Sequence, residues 1–458
     1  MIFKGITNRL EKRFTTEQFT YKELRNMFFP LVMDQLFIFI INMLSSAMVS
    51  SSKQGAAAAV GLVSVIGNLA YAVFNAAVMG GSILVARAKG ANDPERVRTA
   101  IGHAMSVSFM LALSLTVVLY IFSEPVIRLF YSAAEEDVIL TASEYMKIYV
   151  LSFPVYTLFN VIFNSFRSIG DSKSSLILTI VINSVHLIFS YLFINVIGLA
   201  TVGAAYSYLA ARGLGLAFAL VWLFRRKSGI FMKARHFFRF DKSMLRDIGV
   251  LGVPFAFEQM LFQGGMLLMQ MYLARLTTVE LDAYNISVSI FFLYYAFAYS
   301  MTTMAGTVCG QCVGAKKMEL ARTYCKNLVW VGRYVMIFAI LILMPLTPAI
   351  MNLYSPAAGM RKVIFFSLAI GALPMPLIWG EGYVIPSATR TAGDVTFTSV
   401  FSLATMAIGR MAFGYLFTIP LGFGVMGVWM GQFIEWLIRA VVMTKRLDTD
   451  KWIRVSRQ

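Results

Sequence analysis

The chain has 458 residues, of which 58% are apolar and only 14% are charged. A soluble domain carries about 25% charged residues, so this sequence lacks the charges that the surfaces of soluble domains require. The composition excludes an ordinary soluble enzyme and indicates a protein that crosses the membrane several times. The net charge is +17. Such an excess is typical either of nucleic-acid binding or of loops that face a cytoplasm.

Apolar runs of about 20 residues, the length at which a helix crosses a bilayer, recur along the chain. They are too long and too evenly apolar for the strands of a barrel, so we predict an all-α polytopic membrane protein with twelve transmembrane helices. The predicted spans, in chain order, are 27–50, 56–84, 99–123, 143–165, 174–197, 201–224, 247–273, 282–308, 324–348, 363–388, 395–418 and 422–444.

The basic residues alternate with these spans. Thirty of the 40 lie in the two terminal segments and in every second connection, whereas six lie in the other connections. This asymmetry follows the positive-inside rule and predicts a multi-pass protein of the cell membrane with both termini in the cytoplasm. We therefore expect the positive charge to reflect the orientation of the chain in the membrane. The bilayer is then the expected partner, and nucleic acid is not.

Residues of the first half of the chain recur in the second half at an offset of 224 residues, and Arg167, Gly170 and Asp171 recur as Arg390, Gly393 and Asp394 at 223. Each repeat holds six spans, so the two must be parallel repeats related by an axis along the membrane normal. We predict an N-lobe over 1–224, a basic cytoplasmic linker over 225–246 and a C-lobe over 247–458, with a central cleft. Within the linker, 231–240 is either an interfacial segment or a plain connection. The matched pairs include Pro30 and Pro254, Asp34 and Glu258, Gln35 and Gln259, Gly90 and Gly314, and Gly203 and Gly427.

Polar side chains form stripes along the first, second, seventh and eighth spans, which the repeat matches in pairs. Hydrogen bonds between helices would explain any single asparagine or serine. Four matched stripes with two acids among them favour a solvated substrate pathway. The candidates that line this cleft are Gln35, Asn42, Ser45, Asn68, Tyr71, Asn75, Gln259, Gln263, Gln270, Asn285 and Tyr299.

Three acids inside the spans are candidates for cation coupling or substrate binding: Asp34, Glu258 and Glu381. A buried carboxylate can hold a proton, an alkali ion or an organic cation, but not all of them at once. That competition is a physical basis for antiport, because each ligand favours a different state of the bundle. A structural hydrogen bond is the alternative for each acid. Glu435 lies four residues before Arg439, so we predict a helical ion pair there.

Arg212, Arg333 and Arg410 also fall inside spans, where we expect them to extend to the interface or to pair with acids. Cys309 and Cys312 have the spacing of half a metal site, but packing is the favoured interpretation. The sequence contains no Walker loop, metalloprotease helix or nucleophile elbow. We therefore predict neither an enzyme nor an ATP-driven pump, and no metal or cofactor beyond a coupling ion.

Eight segments carry a family pattern: FPLVMDQL, AVGLVSVIGN, ARAKGAND, FRSIGDSKSS, GVPFAFEQMLFQ, GQCVGAKKMELA, TRTAGDVTFTS and GVMGVWMGQFIEWLIRA. From about Tyr21 to Trp452 the chain resembles the multidrug and toxic compound extrusion (MATE) family of the multidrug/oligosaccharidyl-lipid/polysaccharide flippase superfamily. The resemblance implies two six-helix lobes that form a V. It also implies secondary antiport, in which Na⁺ or H⁺ entry drives export of cationic or polyaromatic organic compounds.

Two positions depart from the family pattern. Ser45 stands where many members carry an aspartate late in the first span, and Phe262 stands where well-studied branches carry a seventh-span glutamate. The coupling residues of the family therefore do not transfer one for one, and Asp34 and Glu258 are the nearest acids. Two rival functions remain: a lipid or lipid-linked saccharide flippase, which predicts a basic cleft, and a non-transporting sensor or scaffold. We expect a monomer that binds small organic molecules.

Overall fold

A computed structural model describes residues 14, 17–50, 56–131, 136–225, 230, 232, 241–352, 354, 356 and 359–455, without the side chains of 42, 43, 45–50, 56–58, 225, 278, 454 and 455. Every regular element in these ranges is helical. The α-helices are Tyr21–Ser50, Ala56–Gly90, Pro94–Ile121, Ser123–Phe130, Glu136–Leu151, Phe153–Ser168, Ser172–Ser190, Ala200–Arg225, Lys242–Leu273, Thr278–Gly314, Met318–Asn352, Met360–Ala372, Met375–Trp379, Ile385–Thr391, Val395–Thr405, Gly414–Thr418, Gly424–Asp448 and Lys451–Val455. Three π-helical segments, Tyr191–Val196, Gly380–Val384 and Met406–Phe413, continue α-helices.

The described residues contain ten helical segments long and apolar enough to cross a membrane, and one bent pair that could make an eleventh. These correspond to all the predicted spans except the seventh. The seventh lies in helix Lys242–Leu273, where Glu258 and several glutamines lower the hydropathy. The all-α prediction is confirmed, and the count of twelve agrees approximately. Of the predicted interfacial run 231–240, only Met232 is described.

The bent pair forms the fourth span. Helices Glu136–Leu151 and Phe153–Ser168 meet at Ser152 at an angle of 46°. Pro154 stands in the first turn of the second helix and has no N–H to donate to the preceding turn. The Ser152 hydroxyl donates to the carbonyl of Tyr149, 2.5 Å away. The bend therefore places a serine hydroxyl between two helical segments near the middle of a span.

Residue contacts divide the chain into two compact units. The C-terminal unit contains Met1–Gln35 and Glu258–Gln458, and the N-terminal unit contains Leu36–Phe257. The divisions fall inside the first and seventh spans, next to the repeat-matched acids Asp34 and Glu258. The lobe boundaries predicted at 224 and 247 follow the sequence repeat and not the contacts between residues. The contact units do not test them, so they stay a prediction.

The first half of the first span belongs to the core of the C-terminal unit. Leu24 and Leu31 lie in one buried cluster with Met304 and Trp452. The Tyr324 hydroxyl, also in this cluster, donates to the Phe19 carbonyl at 2.9 Å. Cys309 and Cys312 lie in the same cluster, so their surroundings are those of packed apolar side chains.

The first half of the seventh span belongs to the N-terminal unit and packs there through glycines. A Cβ atom at Gly80 would lie 2.5 Å from the Ile248 carbonyl oxygen. A Cβ atom at Gly252 would lie 2.8 Å from the Ala76 carbonyl carbon and closer still to its oxygen. The second span and this half-helix therefore touch backbone to backbone, which only glycine permits at these two positions.

Candidate functional site

Glu258, in the seventh span, is 7% exposed and ion-paired. Arg390 Nη2 donates to Glu258 Oε1 at 2.7 Å and to Oε2 at 2.5 Å. The Ser399 hydroxyl donates to Oε2 at 2.7 Å. A second arginine nitrogen, Arg390 Nε, donates to Thr398 Oγ1 at 3.0 Å. Any proton or Na⁺ that binds Glu258 must therefore compete with a buried guanidinium.

Asp34, the repeat mate of Glu258, is fully buried in the first span. The neighbouring Gln35, which is half-buried, donates from Nε2 to Asp34 Oδ2 at 3.2 Å. The side chains of Asn42 and Ser45 lie outside the described residues. The structure thus confirms that an acid is buried at both matched positions.

Glu381 lies in the π-helical segment Gly380–Val384 of the tenth span and is 8% exposed. Arg333 donates from Nη2 to its Oε1. Its other oxygen, Oε2, is buried and accepts no hydrogen bond from any residue that the structure describes. Segments of π-helix are frequent at functional sites, and a buried carboxylate oxygen without a donor is rare. Glu381 is therefore a carboxylate that is placed to accept a cation.

A second buried cluster joins the eleventh and twelfth spans. Glu435 is fully buried, and its two oxygens accept from Arg410 Nε and Arg439 Nη2, each at 2.8 Å. The predicted pair of Glu435 with Arg439 is confirmed. Arg410 joins it because its π-helical segment, Met406–Phe413, packs on the same helix. One acid between two arginines leaves a net charge of +1.

Aromatic rings surround this part of the C-terminal unit. The ring centroids of Trp379 and Tyr383 are 4.1 Å apart in a stacked arrangement. Trp436 lies edge-on to Trp379 at 5.4 Å. Tyr295 lies 5.4 Å from Trp379 and 5.5 Å from Tyr299, a predicted cleft residue. Such rings are suited to flat organic molecules and to cations.

Tyr71, predicted to line the cleft, lies in the N-terminal unit beside Arg212. Its hydroxyl accepts from Arg212 Nη2 and is 2.8 Å from the Tyr149 hydroxyl. Arg212 is 6% exposed near the middle of its helix. It neither extends to an interface nor pairs with a described acid, so the expectation for Arg212 was wrong. Arg333 and Arg410 do pair with acids, as expected.

Of the remaining predicted cleft residues, one forms a hydrogen bond to another helix and the others are exposed or half-buried. Asn75 Oδ1 accepts from Asn160 Nδ2 at 2.8 Å, so Asn75 takes part in a hydrogen bond between helices. Three others, Asn68, Gln270 and Asn285, are exposed, and Gln259 and Gln263 are half-buried. That all these residues line one cleft stays a prediction.

Sequence reasoning missed the partners of the acids. Arg390 was counted among the basic residues of a connection, yet it is the partner of Glu258. Its match with Arg167 in the repeat was an available signal. The tyrosines around Arg212 were also missed. Tyr149 and Tyr156 are two helical turns apart, and Tyr208 and Arg212 are one turn apart, so each pair shares a face.

The MatE family model matches residues 30–192 and again residues 254–416. The two matches begin 224 residues apart and end 224 residues apart, which is the repeat offset. The repeat was therefore identified correctly from the sequence.

Similar proteins cover nearly the whole chain. "Uncharacterized transporter YisQ" of Bacillus subtilis is 22% identical over 92% of both chains. "Probable multidrug resistance protein NorM" of Thermotoga maritima is 20% identical over 94% of this chain and 93% of that one. The solved "Crystal structure of MATE in complex with MaD3S" has a TM-score of 0.86 at 18% identity and covers 95% of this chain and 97% of that one. Since the family model matches most of the sequence in two copies, the chain belongs to the MatE family, whose members are multi-pass membrane transporters rather than enzymes.

Proposed function

We propose that this protein is a secondary active transporter that exports organic compounds, drug-like cations among them, by antiport with Na⁺ or H⁺. The observation that carries the proposal is Glu381, a buried carboxylate with one oxygen that no described residue hydrogen-bonds. Membership of the MatE family supports the transport of organic molecules. Relatives described as probable multidrug resistance proteins support drug-like substrates.

Glu381 is favoured over Glu258 and Glu435 because of its partner. Glu258 is held by Arg390 and Ser399, and Glu435 by two buried arginines. In contrast, the Arg333 side chain is 43% exposed, so packing does not fix it in place when another cation reaches Glu381. Na⁺ or H⁺ and an organic cation would then exclude one another at this carboxylate. Each would stabilise a different state of the protein, as antiport requires.

Asp34 and Glu258 have a different role in this proposal. Both are buried where the first and seventh spans pass from one contact unit to the other. A change of charge there alters the surroundings of both helices, because a buried charge without its partner is costly. In this proposal, Asp34 and Glu258 control the change of conformational state, and Glu381 binds the cation.

Efflux of a fluorescent organic cation from proteoliposomes tests this assignment. We expect flux with an imposed Na⁺ gradient or pH gradient and at least ten-fold less without either. Glu381→Gln should abolish the stimulation by the gradient, whereas Glu319→Gln should retain it. Glu319 is the matched control because its side chain is 74% exposed beside Arg322.

Stimulation that persists unchanged in Glu381→Gln would remove Glu381 from coupling. Absence of gradient-driven flux in the wild type would reject antiport and favour the sensor or scaffold alternative. The orientation is part of the proposal, because the basic connections are expected in the cytoplasm. Reporter fusions after Gln458 should be active only when the reporter works in the cytoplasm.

A further inference from the structure

Arg212 is a buried cation in the N-terminal unit, and the residues around it are neutral. It donates from Nη1 to the Ser152 hydroxyl and from Nη2 to the Tyr71 hydroxyl. Within the part of the chain that the structure describes, no carboxylate lies within ion-pair distance of Arg212. Both acceptors are hydroxyl groups, which carry no charge to balance the guanidinium.

Four tyrosine rings enclose the guanidinium. Its central carbon lies 4.5 Å from the Tyr156 centroid, 5.0 Å from those of Tyr149 and Tyr208, and 5.5 Å from that of Tyr71. Ring faces attract a cation, but they supply partial charge only. The rings and hydroxyls together hold the guanidinium in one place and leave its charge unbalanced.

This arrangement depends on three spans. The bend of the fourth span presents Ser152, with Tyr149 one turn before it and Tyr156 one turn after it. The second span contributes Tyr71, and the sixth contributes Tyr208 and Arg212 on one face. All these side chains belong to the N-terminal unit. The site is therefore built by the packing of one unit.

The fold does not require an arginine at this position. The repeat offset of 224 places Arg212 opposite Trp436 in the second half of the chain. Trp436 is 3% exposed and packs against other rings. In the C-terminal unit, the buried arginines Arg410 and Arg439 share Glu435. An arginine kept at mid-span without an acid points to a ligand that brings the negative charge.

We propose that Arg212, Ser152 and the four tyrosines form a binding subsite for the anionic group of an organic molecule. The group is a carboxylate or a phosphate, which matches the planar donors of guanidinium. The hydroxyls of Ser152, Tyr71 and Tyr149 can turn to donate to the same anion. The apolar body of the ligand lies on the tyrosine rings. The inference deepens the proposed function, on which it rests, by adding organic anions and zwitterions to the substrates.

Binding to the full-length protein in detergent tests this subsite without any gradient, so its outcome is separate from that of the coupling experiment. The probes are an aromatic carboxylate and its methyl ester, and a short-chain phosphatidate and the matching diacylglycerol. We expect the wild type to bind at least one anionic probe ten-fold or more tightly than its uncharged counterpart. Binding of the carboxylate alone identifies a free organic anion, and binding of the phosphatidate alone identifies a lipid headgroup.

Arg212→Met should remove this preference, and Arg212→Lys should retain a fraction of it because the charge remains without the planar fork. Arg128→Met is the matched control in the same unit, because Arg128 is 42% exposed and paired with Glu124 and Glu136. It should keep the full preference. Ser152→Ala removes one hydroxyl and no charge, and it should weaken anion binding about three- to ten-fold. This variant tests the subsite even if Arg212→Met fails to fold.

The thermal midpoint separates a binding role from a purely structural one. In a binding site, the anionic probe raises the midpoint of the wild type and leaves that of Arg212→Met unchanged. No preference for either anion in the wild type would overturn the proposal. The same preference in Arg212→Met as in the wild type would also overturn it.

Discussion

Arg212 of the N-terminal unit and three arginines of the C-terminal unit have opposite kinds of partner. In the C-terminal unit, Arg390 pairs with Glu258, and Arg410 and Arg439 share Glu435. In the N-terminal unit, Arg212 is surrounded by hydroxyls and rings. The repeat shows that both units descend from one helical plan, so the charges are not demanded by that plan. This difference is the basis of the proposal that Arg212 binds a ligand with a negative charge.

The two units also differ in how glycine is used at matched positions. Gly80 and Gly252 let two helix backbones touch in the N-terminal unit. Their repeat mates are Met304 and Phe28, whose side chains pack in the C-terminal unit. The two matched positions are thus glycines in one unit and large side chains in the other.

The largest expected effect comes from removing the acid that two arginines share. Glu435→Gln leaves Arg410 and Arg439 buried without a negative charge, which should destabilise the protein by about 3–5 kcal/mol. Arg212→Met removes a buried charge and leaves no other charge without a partner, so it should destabilise the protein less than Glu435→Gln does. Thermal unfolding in detergent measures both. Equal losses in the two variants would contradict the contrast between the units.

A double-mutant cycle on Glu258 and Arg390 measures how far the C-terminal unit depends on its ion pairs. Each single substitution, Glu258→Gln or Arg390→Met, leaves one buried charge unpaired and should cost about 3 kcal/mol. The double variant should cost less than the sum by about 2 kcal/mol, because no charge is then left without a partner. Additive losses would show that the two groups do not stabilise one another.

The glycine contact gives a prediction for the N-terminal unit. Gly252→Ala forces a methyl group into the backbone of the second span and should cost about 1–3 kcal/mol. Gly249→Ala is the matched control, because a Cβ atom there has open space around it. It should be neutral or stabilise the helix by up to about 1 kcal/mol. Equal stabilities for both variants would show that the two backbones can separate at little cost.

The smallest expected effect compares two repeat-matched aspartates. Asp171 Oδ1 caps the fifth span by accepting from the Ser174 N–H at 3.2 Å, a role that asparagine also performs. Asp394 accepts from Arg446 Nε and Nη2, at 2.8 and 2.7 Å. Asp394→Asn should cost about 1.5–3 kcal/mol and Asp171→Asn less than about 0.5 kcal/mol. The reverse order, measured by thermal unfolding, would show that helix capping matters more than the ion pair.

The sequence predicts the spans well because a transmembrane helix needs a long apolar run whatever its neighbours are. Helix ends were less accurate: the predicted span 324–348 is the middle of helix Met318–Asn352, since polar residues continue the helix beyond the apolar run. The burial of Asp34 and Glu258 followed from their place in the spans. Their partners did not, because Arg390 lies 132 residues from Glu258 and meets it only through tertiary packing.

Helical wheels do not tell which surface a polar stripe faces. Asn68 and Asn285 are exposed, whereas Asn75 bonds to Asn160 across two helices, although all three lie on predicted stripes. A helical wheel gives the direction of a side chain but not the part of the molecule that the side chain faces. That surface depends on which helices pack together, which periodicity does not encode.

The first half of the first span belongs to the C-terminal unit, and the first half of the seventh span belongs to the N-terminal unit. A cut of the gene between the two sequence repeats would therefore separate each half-helix from the unit it belongs to. A fragment that ends before Lys242 would carry Leu24 and Leu31 without the C-terminal core they help to fill. The complementary fragment would begin with the half-helix whose Gly252 packs on Ala76 of the missing piece. Neither product could bury its own apolar surface, so two separately expressed halves should regain activity only when made together in one cell.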